Sequence, residues 1–391
     1  MRYRQLMLAF VVGSVTLALL EASMSKARAE KKVATNDSTV QPFQPPLVVA
    51  GSPRARGLAY GTHFREGIHE FLNTQVYDAF ADKPATRDEM LQFAGACGAV
   101  VKEATPMVAE EYEGIAEGSG LSFDEIMLIN LHEEFYHRGQ LPKPGHCTAV
   151  AVAPSDSGDD HAYVGQTWDW FPSVVDMSAA VEWQRDHEAS VLAFGFPGMP
   201  TGAGMNSSGI ALCWTSGGLE KNREKETARV GLPSYVLINH LLAQKDMESV
   251  IREAKRDLHS GWFTFVMNDS SGDLVNIEGS PSGVTVERSQ DHLARVSYGT
   301  REQLGTAADR PLKRHARCEK MYSLLQASAG SNNLATLQKY FTDQQFGIVA
   351  GKKAKNKTIA MMVFDLTDRK AYLSRGPEFN LQWREIEFSK K

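Results

Sequence analysis

The apolar residues of this chain change their spacing at Cys147, and that switch limits the folds open to it. From about Ser52 to Gly139 they recur at threes and fours, as in "RGLAYGTHFREGIHEFLNTQVYDAF", the spacing of helices that bury one face. In "EEYEGIAEGSGLSFDEIMLINLHEEF", Ser122 and Glu125 are placed as a capping box for the second helix of that stretch. Between Cys147 and Ser216 the period falls to two. Candidate strands are "CTAVAVA", "AYVGQTW", "AAVEWQR", "SVLAFGF" and "GIALCWTS", joined by the turns "SDSGDD", "FPGMP" and "MNSSG". Helical spacing returns in "LPSYVLINHLLAQKDMESVIREAKRDL". Strands follow in "WFTFVMND", "LVNIEG" and "GVTVERS", then a helix from about Arg310 to Gln326, then the strands "TIAMMVFDLTD" and "KAYLSRG". Strand sets bracketed by helix sets predict stacked antiparallel sheets covered by helices, an α+β layered fold.

With 391 residues the chain can bury a core without a disulfide framework, and its four cysteines (Cys97, Cys147, Cys213, Cys318) have no CxxC metal spacing. Arg2 and Arg4 precede an apolar run from Leu6 to Leu20, and Ala27-Arg28-Ala29 offers an A-x-A cleavage site. Residues 1–29 therefore read as a signal peptide, so that the mature protein is expected in the periplasm or secreted, without stable membrane insertion. The formal net charge is -5, and the leader holds four bases (Arg2, Arg4, Lys26, Arg28) and one acid (Glu21), so its removal leaves -8. Such a charge argues against nucleic acid as a partner. The cluster "GKKAKNK" reads as a solvated loop, and residues 30–48 as a polar, Pro-containing linker.

Three places hold candidate chemistry. "HEEFYH" sets His132 and His137 around Glu133, but the histidines are five apart, roughly 140° around a helix, where a zinc helix needs four. No metal is expected. In "PGHCTAVAVAP", Cys147 stands at the first position of a strand, where a reactive group can face a cleft; a small buried hydrophobe is the alternative. A hairpin brings "GQTWDW" alongside, so Asp169 lies near the end of the partner strand between Trp168 and Trp170, where an acid needs a charged or hydrogen-bonded partner. In "GMNSSGIALCW", Asn206 sits in a turn from which its amide could face a developing oxyanion.

In this order, "CTAVAV", "GQTWDW" and "GMNSSGIAL" resemble the penicillin acyltransferase-type branch of the N-terminal-nucleophile (Ntn) hydrolases, relatives of the choloylglycine hydrolases. "GSPRARGLAYG" and "EGIAEGSGLSFDEIMLINLHEE" upstream are similar to the family's pro-segment. "LPSYVLINHLL" and "LKRHARCEKM" downstream are similar to its later helices. The likeness runs over about residues 50 to 380. It implies a four-layer αββα sandwich, a helical pro-segment at 49–146 and a catalytic chain at 147–391, with self-cleavage between His146 and Cys147. The freed α-amine, of pKa about 8, would then serve as base to the thiol of its own residue. The chains expected are 30–146 and 147–391, which stay associated.

Carried over by position, the resemblance implies that Asp169 holds the freed amine, Asn206 contributes to the oxyanion hole, and Arg317 tunes the nucleophile; an ordinary surface arginine is the alternative for Arg317. Cys97, Cys213 and Cys318 remain core or surface thiols. Two departures stand out. Gln166 and Thr167 occupy places where bile-acid relatives have arginine and asparagine. No second oxyanion asparagine occurs in "LARVSYGTREQ", which leaves Ser297, Tyr298 or a backbone N–H. The expected activity is that of an exported cysteine amidohydrolase acting on a small-molecule amide or acyl substrate, with no cofactor. An acyltransferase, or a non-catalytic acyl-ligand binding protein on the same scaffold, is the alternative.

Overall fold

The computed structural model describes residues 40–81, 85–137, 147–216, 227–296, 316–350 and 356–389. Residues 1–29, which the sequence reads as a signal peptide, the residues around His146, and Ser297 and Tyr298 lie outside them. From Pro42 onward the chain is one compact unit.

Fourteen described strands form two sheets. In the first sheet lie β1 (Leu47–Val49), β4 (Ala179–Trp183), β5 (Val191–Phe196), β6 (Met199–Asn206), β7 (Ile210–Ser216), β8 (Phe263–Asp269), β9 (Leu274–Ser280) and β10 (Gly283–Ser289), in that spatial order. The second sheet has the order β11 (His292–Val296), β2 (Thr148–Val152), β3 (Tyr163–Trp170), β12 (Lys357–Asp365), β13 (Lys370–Arg375) and β14 (Arg384–Glu387). Every pair is antiparallel except β1 with β4. The strands β2, β3, β5, β6 and β7 are buried throughout, as strands packed on both faces must be.

The sheets face each other, and buried amides link them. Gln166 of β3 donates to the Trp214 carbonyl at 2.6 Å and accepts from the Trp214 N–H at 2.9 Å. Asn268 of β8 donates to the Val152 carbonyl at 2.9 Å. Helices flank both outer faces, completing the four expected layers. On the first sheet lie α1 (Pro53–His63), α2 (Arg87–Ala104), α3 (Pro106–Ser119), α4 (Phe123–Asn130), α5 (His132–His137), α6 (Ser234–Leu242) and α7 (Met247–Ala254), some directly and some over their neighbours. On the second lie α8 (Ala316–Ala327) and α9 (Leu334–Thr342), whose Met321, Leu325, Leu337 and Phe341 pack on Val150, Val152 and Met361. The capping box of Ser122 and Glu125 forms as expected. The helices α1 and α3 touch through glycine: a Cβ on Gly57 would lie 1.8 Å from the Glu111 carbonyl oxygen, so no larger residue fits.

Five described elements depart from the sequence reading, among them β11, which was not read as a strand. The span read as linker ends in β1, where Phe43 and Val49 are already buried. The segment read as the "FPGMP" turn continues into β6, whose Pro200, Gly202 and Gly204 suppress the strand signal. The helix α9 and the edge strand β14 were not expected.

Candidate active site

Cys147 immediately precedes β2 and is buried, not open to a cleft. The hairpin forms as expected: Thr148 pairs with Thr167, and its N–H donates to the Thr167 hydroxyl at 3.2 Å. Two residues further along β3, the buried Asp169 receives two bonds. Thr358, its register partner on β12, donates its hydroxyl to Oδ1 at 2.6 Å, and Arg317 in the first turn of α8 donates Nη1 to Oδ2 at 2.6 Å. Burial pushes the Asp169 carboxyl above its ordinary range, while Arg317 and Thr358 pull it back. Burial likewise pushes the Cys147 thiol up to about 12, and the charges of Asp169 and Glu133 add to that. The Asp169 backbone amide and Arg317 act in the opposite sense. Cys147, Asp169 and Arg317 are therefore electrostatic neighbours. Thr358 was not anticipated; its alignment with Asp169 depends on a strand 189 residues away in sequence.

Asn206 requires a correction. Its amide nitrogen donates to the carbonyls of Leu242 at 3.0 Å and Gln244 at 2.8 Å, and its oxygen accepts from the N–H groups of Ser208 at 3.0 Å and Ile210 at 2.9 Å. All four bonding positions are used in closing the β6–β7 turn and tying it to the end of α6. Ile210 opposes Asp269, and the adjacent Asn268 reaches Val152, the far end of β2 from Cys147. At about 3.3 Å per residue, that end lies about 16 Å along the strand. The structure does not bring Asn206 to the thiol.

The Cys147 end of the sandwich is instead met by Ser216, two residues beyond Trp214 on β7. Its hydroxyl donates to Oε1 of Glu133 on α5. Next to it, Glu134 accepts from the Ser234 N–H at 2.8 Å, and burial pushes its carboxyl up to about 7. His132 packs against Phe71 and Trp170, and burial holds its ring down at about 4. The helix α5 thus carries buried groups that face this end of the sheets, a role its decoy zinc pattern conceals. Cys97, Cys213 and Cys318 are buried free thiols. Among the described residues one trio brings metal-capable donor atoms within 4.8 Å of one another: His161, Asp365 and Asp368. It stands at the opposite end of β3 from Asp169 and is no part of this site.

A family model described as "Acyl-coenzyme A:6-aminopenicillanic acid acyl-transferase" matches residues 156–378, more than half of the chain. The chain belongs to this family. The matched span includes Asp169, Arg317 and Thr358, and begins nine residues after Cys147. The acyl-coenzyme A:6-aminopenicillanic-acid-acyltransferase 40 kDa form of Emericella nidulans is 22% identical over 231 residues, 59% of this chain and 62% of that protein. The chain therefore spans less than two thirds of that relative's length.

Among solved structures, a variant of conjugated bile acid hydrolase from Clostridium perfringens superposes with a TM-score of 0.47 at 13% identity. It covers 62% of this chain and 92% of its own. Penicillin V acylase from Agrobacterium tumefaciens gives 0.41 at 14%, covering 61% and 84%. The family expected from the sequence is thus the one found.

Proposed function

We propose that this family member is an exported, self-processing cysteine amidohydrolase that works through an acyl-enzyme on Cys147. The observation that supports it most is the convergence on one thiol of a buried carboxylate, Asp169, and the arginine that pairs with it, Arg317. In the uncut chain the nitrogen of Cys147 is an amide and cannot act as base. The thiol attacks the preceding carbonyl, the C–N bond breaks as the acyl group moves to sulfur, and water releases residue 146 as a carboxylate. The freed α-amine then takes the thiol proton during turnover. Asp169, one strand away, holds that amine as it becomes an ammonium. A substrate amide acylates the sulfur, its amine departs with the proton, and water completes hydrolysis.

An amine in place of water would give acyl transfer, the activity that the Emericella nidulans relative's name describes. The oxyanion donor is not Asn206 and is left to a backbone N–H or to Ser297 or Tyr298. Gln166 stands where bile-acid relatives carry arginine, and both ends of its amide are committed to Trp214. No cation is offered there to an anionic bile salt, so a neutral acyl amide is the favoured substrate class. The small chain stays docked through a buried charge cluster: Arg56 and Glu111 lie before the cut, and Arg185 and Asn239 after it.

Intact-mass spectrometry of the purified protein tests the proposal. Two chains of 30–146 and 147–391, both replaced by one uncut chain in Cys147→Ala, are the expected result. A wild-type chain that never divides, or a division that persists in Cys147→Ala, refutes it.

A further inference from the structure

Self-cleavage has a difficulty that turnover lacks. The base that serves the mature thiol is the amine that the cut itself creates, so the first proton transfer must go to something else. Among the described residues, the carboxylates of Asp169 and Glu133 both act on the thiol electrostatically. Both Asp169 oxygens are already occupied, one by Thr358 and one by Arg317. An arginine held at 2.6 Å also makes that carboxylate a poor proton acceptor.

Glu133 is the second of these carboxylates. It is 2% exposed, and its Oε1 is held by the hydroxyl of Ser216. Ser216 ends β7 at the level of Cys147: Ala211 opposes Asn268, which reaches Val152, and Trp214 is bound by Gln166, the partner of Ala149. Following β7 two residues past Trp214 and β2 two residues back from Ala149 leads to the same end of the sandwich. The helix α5 is pinned there on both sides of Glu133. His132 packs on Phe71 and Trp170, and Glu134 caps the Ser234 N–H while filling the space over Gly261.

We propose that Glu133, oriented by Ser216, is the base that takes the Cys147 proton in the uncut chain. This rests on the reading of Cys147 as a self-cleaving nucleophile and adds the group that makes the first cut possible. The S–H proton passes to the Glu133 carboxylate, and sulfur bonds to the carbonyl carbon of residue 146. The tetrahedral centre collapses with loss of the C–N bond, and the departing nitrogen recovers the proton from Glu133. The products are a thioester and a free amine, with Glu133 again ionised. Water then cleaves the thioester. A base on the small-chain side, fourteen residues before Cys147 in sequence, serves the cut without being the base of turnover.

The full chain, made by cell-free synthesis and followed by intact-mass spectrometry, gives the test. Glu133→Gln is expected to slow the cut by about 10²-fold or more, the usual worth of a general base. Hydroxylamine, which severs thioesters, should not restore it, because no thioester has formed. Glu133→Asp should recover the cut to within about tenfold of wild type, a rescue that lost packing would not give. Cleavage of Glu133→Gln at the wild-type rate, or its restoration by hydroxylamine, overturns the assignment. Should Glu133→Gln lose its near-ultraviolet dichroism and prove unfolded, Glu133→Asp decides, and a folded Glu133→Asp that cuts more than about tenfold slower than wild type overturns it. An uncut wild type would remove the proposed self-processing itself, whereas a cut wild type beside a normally cut Glu133→Gln removes only the role of Glu133.

Discussion

Replacing His132 with glutamine should make the protein more stable as pH falls from 6.5 to 4.5, and replacing Glu134 with glutamine should do the reverse. Both groups are buried in α5, and burial disfavours the charged form of each. The His132 ring is held at about 4 instead of 6.5, and the Glu134 carboxyl at about 7 instead of 4.5. His132 contributes no penalty above pH 6.5. As pH falls toward 4 the unfolded chain gains a proton that the folded chain refuses, and stability is lost. Glu134 contributes no penalty below pH 4.5. As pH rises through 7 the unfolded chain loses a proton that the folded chain retains, and stability is again lost. Each shift corresponds to about 3 kcal/mol in total, or about 1.4 kcal/mol per pH unit. Between pH 4.5 and 6.5 the two slopes have opposite sign and nearly equal size, so the pair leaves wild-type stability almost flat. Removing either partner uncovers the other slope, about 3 kcal/mol across that window. Urea titrations at half-unit pH steps read this directly, with each variant compared against wild type so that other titrating groups cancel. Profiles of His132→Gln and Glu134→Gln that run parallel to wild type would refute the reasoning.

Three further outcomes follow from particular contacts. Glu111→Gln leaves the buried Arg56 and Arg185 without their shared carboxylate and should cost about 3–5 kcal/mol in urea unfolding; in the divided protein it should release the small chain on size exclusion, and a loss under 1 kcal/mol would contradict this. Arg317→Met strands the Asp169 carboxylate with Thr358 alone and should cost about 3 kcal/mol, with Arg317→Lys recovering part of it by calorimetry. Asn206→Ala removes a residue making four buried hydrogen bonds and should cost about 2–4 kcal/mol, yet the folded fraction should divide at the wild-type rate; a slowed cut in folded protein would return Asn206 to the chemistry.

The sequence carried the layers of this fold more plainly than the site. Period-two runs of Val, Ala and aromatic residues identify β2, β3, β5 and β7 because strands buried between sheets leave few polar interruptions. The strand β6 escaped because glycine and proline, which normally end strands, here let its backbone approach Leu192, Phe194 and Trp168 closely. The pairing of β2, which follows Cys147, with β3 was legible, since one short connection fixes a hairpin register. Thr358 and Ser216 were not, because each owes its place to a register between strands far apart in sequence. Asn206 misled for a physical reason: an asparagine before Ser-Ser-Gly satisfies a tight turn through its own side chain, and that local use looks in sequence like a polar group held ready for a ligand.

The burial of Cys147 accounts for why division should precede activity. With its thiol pushed well up by burial, the uncut chain holds little thiolate near neutrality for attack on a passing amide. Attack on its own preceding carbonyl is different, since that carbon is covalently held beside the sulfur and effective molarity offsets the scarce thiolate. Once the cut is made, an ammonium or amine stands on the same residue. A positive charge beside Asp169 opposes what that carboxylate does to the thiol, and the neutral amine supplies a base on the nucleophile's own residue. On the proposed reading the same buried pocket is inert toward other molecules before the cut and competent after it, and the change comes from one new nitrogen.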